Sequence, residues 1–98
     1  MTRDPHGQWW RQLEDARFRL EIIAAESDEE GDAFHDSEVR PLREKICVTQ
    51  AKTLEGAYHQ LRYVLDITRH NAMNEHDRRA LELAALTIFQ CTQRQYLA

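Results

Sequence analysis

Large apolar side chains recur along this chain at alternating intervals of four and three residues, the spacing that lines up one face of an α-helix. Trp9, Leu13, Ala16, Leu20 and Ile23 make the first run, and His35, Val39, Leu42 and Ile46 the second. Leu54, Ala57, Tyr58, Leu61, Val64, Leu65 and Thr68 form a broader third stripe. A fourth segment is apolar nearly all round, with Leu81, Ala84, Ala85, Ile88 and Phe89 on one side and Leu83 and Leu86 on the other. Strands would alternate every second residue, so the pattern predicts an all-α fold. Three Gly and two Pro in 98 residues are also too few for the reversals of an all-β domain.

Helix-start chemistry sets the expected limits. Asp4-Pro5 opens a helix over 6–26, with Pro in the first turn. Ser27 is a good N-cap, and the acids after it suit the positive end of a helix dipole, predicting a tight turn and a second helix over 28–49. Pro41 is the weak point of that helix: its ring clashes with the carbonyl of Ser37 and it has no N–H to donate, so a kink there, or a start only near Ser37, is expected. Thr53 caps a third helix over 54–71, and Asn74 with Asp77 forms a capping box of the Asp type opening a fourth over 75–95. Short connections and no internal repeat predict one domain over 1–98, a four-helix bundle or two antiparallel helical hairpins.

Charge narrows the function classes. The net charge of −4 is local: residues 1–49 carry net −5 and residues 50–98 net +1. Seven acids between Glu26 and Glu38 have no Lys or Arg among them, which argues against direct nucleic-acid binding. The small cationic group Arg69, His70, His76, Arg78 and Arg79 is interleaved with Glu75 and Asp77. No apolar run is long enough to span a bilayer and the N-terminal residues lack a signal-peptide core, so a cytoplasmic location and no membrane contact are expected. Basic residues are eleven Arg against two Lys, a bias expected of a GC-rich bacterial genome.

Chemistry-bearing motifs are sparse. Nucleophile-elbow, P-loop and dinucleotide patterns are missing, and neither Cys47 nor Cys91 has a CxxC partner or an adjacent activating His, so both are expected as small core residues. Asp32 with His35 or Asp36, and His70 with Asp66 or Asn74, have metal-ligand spacing on a helix, but no second pair converges on them in sequence. The expectation is therefore a chain with no catalytic residue, no cofactor and no metal. A metal-dependent enzyme is the remote alternative.

The stretch from Leu42 to Leu61 resembles a pattern in small helical proteins of alphaproteobacterial and prophage-like regions. There, an isoleucine-ended helix is followed by a Pro-Ala-x-Thr-x-x-Gly turn and another helix. Ala51, Thr53 and Gly56 match that turn, with Gln50 in place of the Pro. The resemblance implies an architecture and a bacterial, prophage-associated setting, and no activity. In its own right, Gly56 leaves room in the first turn of the third helix for the preceding helix to pass closely.

What remains is surface. Trp10 diverges from the Trp9 seam, and Phe18, Ile22, Tyr63, Ile67, Leu83 and Leu86 lie off the main stripes of their helices. A domain this small cannot cover every helix on all sides, so these seven residues are expected to form an interface. The predicted function is a non-catalytic structural or protein-protein interaction module that forms a homo-oligomer. The alternative is an acidic regulator, from a mobile element, that captures a host nucleic-acid-binding protein through Glu26–Glu38.

Overall fold

A computed structural model describes the backbone of residues 4–97 and the side chains of residues 4–94. The described residues form α1 (His6–Glu26), α2 (Asp28–Phe34), α3 (Arg40–Val48), α4 (Leu54–Thr68) and α5 (Glu75–Leu97). A π-helical turn, His35–Val39, joins α2 to α3, so residues 28–48 make one interrupted rod and the chain has the four rods the sequence predicts.

The π-turn is the outcome at Pro41. The Arg40 N–H reaches back five residues to the His35 carbonyl. Widening the turn by one residue just before the proline lets the rod continue where an unbroken α-helix would set the ring against Ser37. The helix neither stops nor starts at Ser37.

Three of the expected caps form. Ser27 Oγ accepts from Glu30 N at 3.2 Å and Thr53 Oγ1 from Gly56 N at 3.0 Å. Asn74 Oδ1 accepts from Asp77 N at 2.8 Å while Asp77 Oδ2 accepts from Asn74 N at 3.4 Å, closing the capping box. The third helix ends at Thr68, three residues short of the expected limit.

α1 folds back along α2 through the single residue Ser27, and Gly31 lets the two approach: a Cβ there would lie 2.8 Å from the Ala24 Cβ. α4 and α5 form the second hairpin; α4 also packs on α1, and α3 packs on both α1 and α5. The core runs between them, with Trp10, Leu13 and Ala16 from α1, Val39, Ile46 and Cys47 from the second rod, Tyr63 and Val64 from α4, and Ala80 from α5. A second small cluster joins Ala51, Ala57 and Ala84. The molecule is long and flat, 56 × 32 × 16 Å, and its radius of gyration of 15.2 Å exceeds the roughly 13 Å of a compact domain this size.

Irregular residues 49–53 are fastened from several sides. His6 Nε2 donates to the Thr49 carbonyl at 2.7 Å, and Gln60 Nε2 donates to the Ile46 and Thr49 carbonyls at 2.8 and 3.2 Å. These bonds satisfy carbonyls that the end of α3 leaves without helical partners. Thr87 Oγ1 donates to the Ala51 carbonyl at 2.7 Å. Asp4 completes the set: one carboxylate oxygen accepts from His6 N at 3.0 Å, the other from Lys52 N at 2.6 Å and Thr53 N at 3.0 Å. What comes close to Gly56 is this carboxylate from the start of α1, where the sequence suggests the preceding helix.

Candidate functional site

Two features are candidates for function: the apolar surface left bare by packing, and a polar network buried between α3, α4 and α5.

The seven residues expected at an interface divide. Phe18, Ile22 and Leu86 are exposed. Trp10 and Tyr63 are core residues, 7 % and 1 % exposed, and so are not free to dock a partner. Trp10 exchanges places with Trp9, which is half-buried at the margin of the core. The buried face of α1, His6, Trp10, Leu13 and Ala16, keeps two residues of the predicted seam and is rotated by less than half a residue toward Trp10. Ile67 packs against the core and Leu83 is half-buried, so neither is surplus surface.

The last helix is rotated from the expected face. Of the side carrying Leu81, Ala84, Ala85, Ile88 and Phe89, only Ala84 is buried, and α5 turns Asp77, Ala80 and Thr87 inward with it. Leu81 and Ile88 are 36 % exposed and Phe89 58 %. Small side chains win because α4 and α5 pack closely, with Ala57 meeting Ala84. Bulkier residues would hold the two axes apart.

α4 has a matching bare stripe. Leu54, Tyr58, Leu61 and Leu65 follow 4, 3, 4 spacing within about 60° of arc. Leu54, Tyr58 and Leu65 are exposed, while Leu61 packs on the Ala51–Ala57–Ala84 cluster. α1 approaches α4 from the opposite flank, where Asp4 meets Gly56 and Arg17 pairs with Asp66. On α5, residues 50–52 neighbour Gln90 and Arg94, and Val48 of α3 neighbours Glu75, Arg78, Arg79 and Glu82, the flank that also carries Phe89. Leu81 and Ile88 therefore lie on the side of α5 away from that flank, next to its packing partner α4. The missed signal was readable: 54, 58, 61, 65 and 81, 85, 88 are parallel heptad runs on adjacent antiparallel helices.

The buried network centres on Tyr63. Its hydroxyl donates to Asp77 Oδ1 at 3.2 Å and accepts from Arg43 Nε at 3.3 Å and from the Cys47 thiol at 3.5 Å. Burial pushes the Tyr63 hydroxyl and the Cys47 thiol above their usual ranges, so both stay protonated at neutral pH. A protonated Cys47 is a poor nucleophile. Asp77, 1 % exposed, is held by the tyrosine hydroxyl and the Asn74 N–H, which replace its lost water.

Cys47 and Cys91 are both free thiols; Cys47 is buried and Cys91 half-buried. Among the described residues, no three His, Cys, Asp or Glu side chains group as they would around a metal ion. No described helix is long and apolar enough to cross a membrane. Comparison with known proteins finds no matching family model, curated protein or solved structure.

Proposed function

We propose that this chain is a non-catalytic helical module that assembles with a second copy of itself through the outer face of the α4–α5 hairpin. The observation that carries the reading is the pair of heptad runs, Leu54–Tyr58–Leu65 on α4 and Leu81–Ala85–Ile88 on the neighbouring side of α5, left uncovered on a flat molecule. Full burial of a Leu is worth about 1.5–3 kcal/mol, so leaving Leu54, Tyr58 and Leu65 about half exposed or more, with part of Leu81 and Ile88, forgoes a sizeable part of a small domain's stability.

A second copy is the natural occupant. Heptad stripes are self-complementary, and a two-fold axis across this face would pair each hairpin with its own image in a four-helix layer. Stable interfaces bury about 800 Å² per partner. Two adjacent helices of 15 and 23 residues, about 22 and 34 Å long and each about 10 Å wide, present a face of that order.

The acidic segment needs no partner in this reading. Asp28, Glu29 and Glu30 occupy the first turn of α2, where the helix dipole favours negative charge, and Asp36 pairs with Arg40 at 2.7 Å. The setting proposed is the bacterial cytoplasm.

Sedimentation over about 1–100 µM, the range in which interfaces of this size associate, tests the proposal. The wild-type chain should exceed its 11.6 kDa monomer mass, while Leu65→Glu and the exposed Ala85→Glu should return it to monomer with unchanged helical circular dichroism. A wild-type monomer across the whole range overturns the reading.

A further inference from the structure

The polar network lies beneath a cleft with two lobes, of about 210 and 440 Å³, which share His35, Arg43, Asn74 and Asp77. The larger lobe has two chemically distinct walls. One is apolar, made by Leu20, Val39, Ile67 and Ala72; the other carries Arg17, Arg43, Asn71 and Asn74. Its volume falls within the range of small-molecule sites, and the pairing of an apolar wall with a few convergent polar groups is their usual composition.

Arg43 gives the lobe its polarity. Its Nε is spent on the Tyr63 hydroxyl, which fixes the plane of the guanidinium. Among the described residues its Nη1 and Nη2 groups meet no acceptor and its side chain joins no ion pair, although it is half-buried. Arg17 is already matched by Asp66, while Asp77, the one acid lining this lobe, attracts Arg43 through space but has its oxygens held by Tyr63 and Asn74 and makes no hydrogen bond to the guanidinium. Glu44 lines only the smaller lobe. Two free, coplanar N–H donors on a positive charge match the two oxygens of a carboxylate. The first and last residues of the π-turn, His35 and Val39, both line this lobe, and widened helical turns recur at functional sites.

We infer that this cleft binds a small organic carboxylate with a short branched hydrocarbon tail. The carboxylate sits on Arg43 Nη1 and Nη2 and the tail lies against Leu20, Val39 and Ile67. The site is separate from the α4–α5 outer face, so it stands whether or not the chain self-associates. A ligand of about eight non-hydrogen atoms in such a site should bind with a Kd on the order of 1 mM.

The test is titration of the ¹⁵N-labelled chain with 4-methylpentanoate, acetate and inorganic phosphate at matched ionic strength. Saturable shifts of the amides of Asn71, Asn74 and His35–Val39 are expected with 4-methylpentanoate, with affinity reduced about tenfold or more by Arg43→Gln. Ala72→Trp, an exposed substitution that fills the lobe without touching the core, should abolish them and covers the case in which Arg43→Gln fails to fold. Three outcomes overturn the inference: no saturable shift with 4-methylpentanoate; binding that survives Ala72→Trp; or acetate or phosphate binding as tightly, which would show that the apolar wall takes no part.

Discussion

The carboxylate of Asp4 lies where a Cβ at position 56 would sit, so glycine is the residue that lets the start of α1 dock on the first turn of α4. That one carboxylate accepts backbone N–H bonds from His6, Lys52 and Thr53. It ties an N-terminal residue to a connection forty-eight positions away.

The relationship predicts a change of sign. Gly56→Ala in the wild-type chain should destabilise by about 1–3 kcal/mol, because the methyl group displaces the carboxylate and its donors lose their acceptor. In an Asp4→Ala background the same change should be neutral or stabilising by up to about 1 kcal/mol, since alanine is the better helix former. A double-mutant cycle by urea denaturation reads this directly. Equal effects in both backgrounds would show that the two residues act independently.

His6 makes stability depend on pH. Burial lowers its pKa below 6.5, and its bond to the Thr49 carbonyl and the nearby Asp4 carboxylate offset this only in part; His59 lowers it further. The Nε2–H is used on Thr49, so the bare Nδ1 is a buried nitrogen that must take up any added proton without a partner. The folded state therefore binds protons less readily than the unfolded one. This contribution is complete above about pH 6.5 and is lost as the pH falls through the lower folded value. Urea midpoints measured from pH 7.5 to 5 should fall, and His6→Gln should flatten that slope. Asp4 acts lower on the scale: burial would raise its pKa, but the three N–H donors outweigh burial and hold it below 3.8, so its contribution is lost only in stronger acid.

Removing the hydroxyl at the centre of the network should be costly. Tyr63→Phe leaves Asp77 with one donor fewer in a buried site, at a cost of about 1–3 kcal/mol. Asp77→Asn made on top of Tyr63→Phe removes the buried charge and should cost less than the two single changes added together. Additive losses in denaturation would rule out the coupling.

Apolar residues on different faces should behave differently. In the proposed assembly each Leu54→Ala or Leu65→Ala change is counted twice across the two-fold axis, so about 1 kcal/mol per site becomes roughly a thirtyfold loss of association. Phe18→Ala and Ile22→Ala, on the bare side of α1, should leave association unchanged. Association lost through Phe18 and kept through Leu65 would move the interface to α1.

Much of the local architecture was legible in the residues themselves. Ser27, Thr53 and the Asn74–Asp77 box announce helix starts because capping is a contact between neighbours, set by side-chain chemistry within four positions. Pro41 announced a disturbance for the same reason. The form it took, a widened turn, depends on how α2 and α3 must each face α1, which no local rule specifies.

The amino-acid pattern determined that the chain is helical, where its rods begin and that it has four of them, because those properties depend on spacing and capping along a short segment. Spacing also indicated the buried Leu13 and Ala16 of α1, Val39 and Ile46 of the second rod and Ala57 and Val64 of α4, but tertiary packing decided which side of α5 turns inward. On α5, hydrophobicity favours Leu81, Ile88 and Phe89, but the close approach of α4 selects Ala80 and Ala84, and the larger side chains are left outside. A rod that is apolar on every side carries no phase of its own, so only the neighbour's shape can choose one.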